Sequence, residues 1–318
     1  MDLIYTDVNR QELGVLKNYT FDLAYGYDEN NFECKVDIDD NVCAPGSLIY
    51  IDGTEYGGII DSVKIDTKNS EITYSGRTFH GMLNSHVPTP AAGDDYIVLN
   101  GPVNAAMGQL LAAVGIDDIF EASTAQSGSL NNFKWPRYVG LYDGLLKMLR
   151  QRGSKLEIRV SGGKVVLQGR TARTYANDID SDLVEFDISK NYNPVNHVIC
   201  LGGGQLKDRL VKHLYADADG NVSQTQTLFG SEEVTVVYDY PNAESEDELL
   251  EGGTEIIQES RSKDAIRCVF SGTDASYDIL DKQTATENVT GIKVTATITK
   301  KIVSIQNGDV NVSYEIGG

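Results

Sequence analysis

Hydrophobic and polar positions alternate at period two through much of the first hundred residues, in FDLAYG, FECKVDI, SLIYIDGTEYGGIIDSVKI and EITYSG. That period predicts half-buried strands. In SVKIDTKNSEITYSG, Val63 and Ile65 share one side, DTKNS supplies a turn, and Ile72 and Tyr74 return, which is a hairpin. Short strands at this spacing, with glycines at the bends, suggest a closed or nearly closed barrel over residues 1–95. SHVPTPAAGDD breaks the pattern with two prolines and a glycine.

The period then lengthens. Val103, Met107, Leu110, Leu111 and Val114 form one helical stripe that Gly115 can end. A second helix is predicted from about Leu141 to Arg152, with Leu141, Leu145, Met148 and Leu149 inward and Gly153 closing it. KLEIRV and KVVLQG flank Ser161, Gly162 and Gly163 as a tight hairpin. Residues 96–186 therefore read as a mixed α+β insert. Strands resume in NHVICLGGG, VKHLYAD, TQTLFG and EVTVVYDY, so residues 187–318 are expected to form a second β-barrel. An acidic helical excursion at about 242–260 interrupts it, with Gly252 and Gly253 expected to divide the helix. The last hairpin alternates through Ile292, Val294, Ala296 and Ile298, turns at Asn307 and Gly308, and returns through Val310, Val312 and Tyr314. The fold class expected is mainly β with an α+β insert: two small barrels around a mixed domain.

Composition changes this picture only by exclusion. At 318 residues, with 41% hydrophobic and 23% charged residues, the chain is globular rather than disordered. Its 47 acidic and 27 basic residues give a net charge of -20, which repels phosphate backbones and argues against a sequence-specific nucleic-acid partner. No run reaches the roughly eighteen apolar residues of a membrane helix, and MDLIYTDVNR lacks the pattern of a signal peptide, so a soluble chain made in the cytoplasm is expected. Cys34, Cys43, Cys200 and Cys268 contain no CxxC and read as buried thiols; Cys34 and Cys43 are near enough in sequence to pair.

Candidate chemistry is sparse. Gly202–Gly204 lack the Lys-Ser/Thr pair of a phosphate loop and are expected to mark a strand end or a close backbone approach. Asp178–Asp182 begin like a calcium loop, but Leu183 and Ser189 stand where such a loop needs Gly and Glu. Asp217–Asn221 read as a turn around Gly220. His80, His86, His197 and His213 form no ligand pair at helical spacing, and no GxSxG nucleophile elbow is present. No catalytic residue, metal site or cofactor is expected. Phe133, Trp135, Arg137 and Tyr138 in NFKWPRYVG are the candidate interface, because aromatic and arginine anchors concentrate at interface hot spots. The other reading packs this strip on its own helix at Leu141.

Four stretches carry a resemblance: DLAYGYDENNFECKV, GRTFHGMLNSHVPTP at Gly76–Pro90, NHVICLGGGQLKDR at Asn196–Arg209, and TGIKVTATITKKIVSIQNGDVNVSYEIGG. In their order, the chain resembles baseplate hub or tail-tip proteins of long-tailed bacteriophages and phage-derived contractile particles of Gram-positive bacteria. The resemblance implies a homotrimer with two hub-type barrels per protomer, adapting a sixfold tail tube to a threefold spike or tail tip around an axial passage. It implies a tube protein or tube-end adaptor on one face and a spike, tail fibre or cell-wall-degrading module on the other. The last predicted strand runs almost to Gly318, so a lysozyme, peptidase or fibre stalk is expected on separate chains. Location in a virion tail or particle baseplate, after assembly in the bacterial cytoplasm, follows from the same resemblance. An acidic lining would keep DNA from sticking in the passage. A carbohydrate- or receptor-binding module would instead show an aromatic groove, and a cell-wall-degrading enzyme a cleft of converging titratable groups.

Overall fold

A computed structural model describes residues 1–179, 186–189, 193–241, 243, 245–262, 265–271, 276–286, 291, 293–306 and 308–317. The amino-terminal alternation becomes β1 (Leu3–Thr6), β2 (Glu12–Leu16), β3 (Thr20–Gly26), β4 (Asn30–Asp37), β5 (Leu48–Ile51), β6 (Gly57–Asp66) and β7 (Glu71–Thr78). In β4, Phe32, Cys34 and Val36 are buried while Glu33 and Asp37 face water. Helix α1 (Phe79–Asn84) follows directly, its first turn closed by the Thr78 hydroxyl accepting from the Gly81 N–H.

Next come β8 (Val98–Pro102), α2 (Val103–Val114), β9 (Phe120–Ala122), β10 (Ser129–Lys134), α3 (Leu141–Arg150), β11 (Ser154–Ser161), β12 (Lys164–Thr171) and β13 (Thr174–Ile179). Both helices follow their stripes: Met107, Leu110 and Leu111 of α2, and Leu141, Leu145, Met148 and Leu149 of α3, are buried. Gly115 ends α2 in the left-handed region at φ 72°. Gly162 and Gly163 both take positive φ, as a two-residue hairpin turn between β11 and β12 requires.

The remaining elements are β14 (Phe186–Ser189), β15 (His197–Leu201), β16 (Val211–Ala216), β17 (Val222–Ser223), β18 (Thr235–Asp239), α4 (Glu246–Ser262), β19 (Ala265–Ser271), β20 (Lys282–Thr286), β21 (Lys293–Gln306) and β22 (Asp309–Gly317). Contacts group the chain into two compact units, Met1–Glu185 with Cys268–Gly317, and Phe186–Arg267.

In the first unit a long sheet runs β22-β21-β3-β4-β7-β6-β5-β1-β2, every neighbour antiparallel. The barrels expected from the strand spacing are not there. No sheet closes among the described residues: β2 pairs only with β1, whereas closure needs the terminal strands to pair. The physical reason lies in β21. Residues 293–297 pair with β20, residues 300–306 pair with β3, and an irregularity between Ile298 and Lys300 separates the two partners. The sheet forks there instead of curling round. At the free edge, β2 is short and exposes Glu12, Leu13 and Val15. The fold is mixed α/β with several open sheets. Smaller sheets pair β8 with β10, and β9 and β11 with β12.

The second unit has a four-stranded sheet, β17-β16-β15-β18, with β15 and β18 parallel. It too is open. Leu249 and Ile257 of α4 pack on Val198, Cys200, Leu214 and Ala216. The helix is continuous through Gly252 and Gly253 rather than divided. A methyl at Gly253 would stand 2.4 Å from Cys200 Sγ, and one at Gly252 2.5 Å from the Tyr238 hydroxyl, so the glycines let helix and sheet approach.

Candidate functional site: a basic cleft in the first unit

Strand alternation builds the site. Along β11 and β12, Leu156, Ile158, Val160, Val165 and Leu167 are buried on one face. The register pairs Lys155 with Arg170, Glu157 with Gln168 and Arg159 with Val166 on the other. Arg152 and Arg173 flank the open end, where the Ala172 N–H donates to the Gly153 carbonyl at 2.9 Å. This face lines an open cleft of about 1130 Å³, which Glu55, Tyr56, Asp278 and Lys301 also reach. Arg152, Lys155, Arg159, Arg170, Arg173 and Lys301 stand against Glu55, Glu157 and Asp278, six cations to three carboxylates in a chain of net charge -20.

The cations differ in freedom. Lys301 is 2% exposed; its Nζ donates to Glu55 Oε1 at 2.7 Å and lies 5.6 Å and 5.8 Å from the ring centres of Tyr56 and Tyr314. Burial pulls its pKa down, but the Glu55 carboxylate, together with Tyr56 and Tyr314, more than offsets burial and raises it. The Tyr25 hydroxyl also donates to Glu55 Oε1, at 2.6 Å, and burial, then Glu55, hold its pKa well above 10. Its ring stacks on His80 at 4.0 Å. Burial, reinforced by Lys301, lowers His80 to about 3, so its imidazole is neutral. Lys155 Nζ donates to Asp278 Oδ2 at 2.5 Å and to Asp281 Oδ2 at 2.7 Å; burial lowers its pKa, and the two carboxylates more than reverse that. Both lysines are thus held as ammonium groups, unable to act as nucleophile or base near neutrality. Arg159 and Arg170 share Glu157 near the surface, and Arg152 makes no ion pair among the described residues. The cleft therefore gathers fixed positive charge, part of it already matched by carboxylates.

The second unit holds another cluster. His197 Nδ1 meets Glu233 Oε1 at 2.6 Å, and His197 Nε2 meets His213 Nδ1 at 2.8 Å. No Ser, Thr or Cys side chain hydrogen-bonds His213 among the described residues, and none of them form a group of three or more His, Cys, Asp or Glu suited to a metal ion.

The residues singled out from sequence fall in several places. Trp135 is 1% exposed and packs over Gly144 of α3, where a methyl would lie 2.1 Å from its Cζ2. Phe133 is half-buried, whereas Arg137 and Tyr138 face water, with the guanidinium 5.4 Å from the Tyr138 ring centre. Cys34, Cys43 and Cys200 are buried free thiols, so Cys34 and Cys43 do not pair; the Cys268 side chain lies outside the described residues. Gly202 and Gly203 exchange backbone hydrogen bonds with Leu210 in a tight loop, and Asp217 accepts from Asn221 in a turn with Gly220 at φ 92°. The Asp178–Asp182 run and Asn307 lie largely or wholly outside the described residues. No described helix is long and apolar enough to cross a membrane.

Sequence reading missed the cleft. Its signal was the charge on the outward phase of KLEIRV and KVVLQGR, bracketed by Arg152 and Arg173.

No protein-family model matches the chain, and no curated protein matches it. The sheets and helices nevertheless form a fold seen in phage tail proteins. The 43 kDa tail protein of prophage MuSo2 from Shewanella oneidensis superposes with a TM-score of 0.61 at 13% identity, over 99% of this chain and 98% of that one. The tail protein from Neisseria meningitidis MC58 gives 0.57 at 12% identity, over 100% and 96%. Prophage tail protein gp18 from Listeria monocytogenes EGD-e gives 0.55 at 13% identity, over 99% and 94%. At these identities the likeness establishes the fold.

Proposed function

We propose that this chain is a non-enzymatic structural protein of a phage or phage-like tail, acting as a baseplate hub or tail-tip component. The observation that carries the reading is the likeness of the whole chain, 99–100% of its length, to three tail proteins. The chemistry of the cleft is in keeping with a structural role: its buried cations are fixed by carboxylates. The protein works as a homotrimer that matches a sixfold tube to a threefold spike or tip and surrounds an axial passage. A tube protein or tube-end adaptor binds one face, and a spike, fibre or cell-wall-degrading module the other. Arg137 and Tyr138, backed by Phe133 and Trp135, are a contact strip for one of these neighbours. The assembly resides in the particle's tail.

Sedimentation equilibrium with negative-stain imaging tests the reading. We expect about three times the 34.7 kDa chain mass, and rings with threefold symmetry. A chain that stays monomeric at high concentration, alone and with tube protein, overturns it.

A further inference from the structure

The basic cleft has a counterpart on the same chain. Helix α4 carries Glu246, Asp247, Glu248, Glu251, Glu255 and Glu259 against one cation, Arg261. Leu249, Gly253 and Ile257 face its own sheet, so Asp247, Glu251, Glu255 and Glu259 recur every fourth residue on the exposed side. Like charges at that spacing weaken a helix, and an opposing cationic surface relieves the repulsion between Asp247 and Glu251. We propose that the basic face of β11 and β12 receives α4 of a second copy of this chain, making the contact between protomers head-to-tail. The inference rests on the assembly reading above and specifies its interface.

The dimensions agree. A helix of 17 residues is about 25 Å long, and an eight-residue strand about 26 Å. The charges agree too: six cations of the cleft meet four carboxylates once Asp281 beside Lys155 is included, and the helix carries six carboxylates, of which Glu246 pairs with Lys212, against one cation of its own. A second copy, itself at -20, is repelled by an acidic surface, and the cleft gathers cations that can receive it. Two different patches in contact make a heterologous interface, which closes into a ring when its rotation allows.

Sedimentation velocity on the full chain tests the contact in three variants built at exposed positions: Arg152→Glu with Arg159→Glu, Asp247→Lys with Glu251→Lys, and all four together. We expect each double reversal to weaken self-association about tenfold or more, and the fourfold exchange to restore most of it. Neutral substitutions, Arg152→Gln with Arg159→Gln, should fall between, and they replace any reversal that fails to melt cooperatively. Wild-type assembly that neither the reversals nor the neutral pair weakens overturns this contact and leaves the tail reading standing. Weakening that the fourfold exchange does not repair also overturns it. A wild type that stays monomeric both alone and with tube protein removes both.

Discussion

Lys301 sits in the core because of a change of phase in its strand. Up to Ile298 the buried residues of β21 are even-numbered; beyond the irregularity they are Lys301, Val303 and Ile305. Turning Val303 and Ile305 inward also turns Lys301 inward, and Glu55 makes that tolerable. Replacing Glu55 by Ala leaves a buried ammonium without its carboxylate, and we expect a loss of about 3 kcal/mol in urea unfolding. Equal stability of Glu55→Ala and wild type would contradict this role. His80 gives a pH dependence of definite sign. Its folded-state pKa is about 3 against an ordinary 6.5, so below 6.5 the unfolded chain binds a proton that the folded chain refuses. Stability from this group is complete above 6.5 and falls as pH drops toward 3, by up to ~1.4 kcal/mol per pH unit. Urea midpoints measured between pH 7 and pH 4, as assay conditions set by this linkage, should show a shallower slope in His80→Phe.

At the scale of elements, legibility depended on whether neighbours in sequence were neighbours in space. The α2 and α3 stripes, the β11–β12 hairpin and the β6–β7 hairpin were readable because each is specified by residues within a few turns of one another. The fork in β21 was not read, although a hint lay in ITKKIVSI, where Ile298 is even-numbered and Val303 and Ile305 are odd. Gly26 is its distant partner: a methyl there would stand 2.1 Å from the Thr299 carbonyl oxygen, a contact that no sequence window joins. The same limit hid the His197–His213 pair and turned the glycines of α4 into a supposed break. Trp135 was legible as an anchor, but what it anchors is α3. We expect Gly144→Ala to force the indole aside, costing ~1–3 kcal/mol and shifting the emission of this single tryptophan to the red. An unshifted spectrum would show that the ring finds another buried seat.

For the whole molecule, strand spacing alone suggested closure, yet closure depends on which strands meet at the ends of a sheet, and that is a property of topology. Net charge is similarly incomplete: a value of -20 coexists with a cluster of six cations, because strand alternation gathers residues that the count disperses. The division into Met1–Glu185 with Cys268–Gly317, and Phe186–Arg267, has a consequence for unfolding. Each unit has its own buried core, and chains built this way commonly depart from two-state behaviour. The only tryptophan, Trp135, lies in the first unit, so its emission follows that unit, whereas far-ultraviolet circular dichroism follows strands and helices in both. We therefore expect the two signals to give different urea midpoints. Replacing residues 186–267 by a short Gly/Ser linker should leave the buried Trp135 emission and one cooperative transition, at which the two signals coincide. Coincident curves in the full chain would show one cooperative body, and an excised chain without a transition would show that the first unit needs the second to fold.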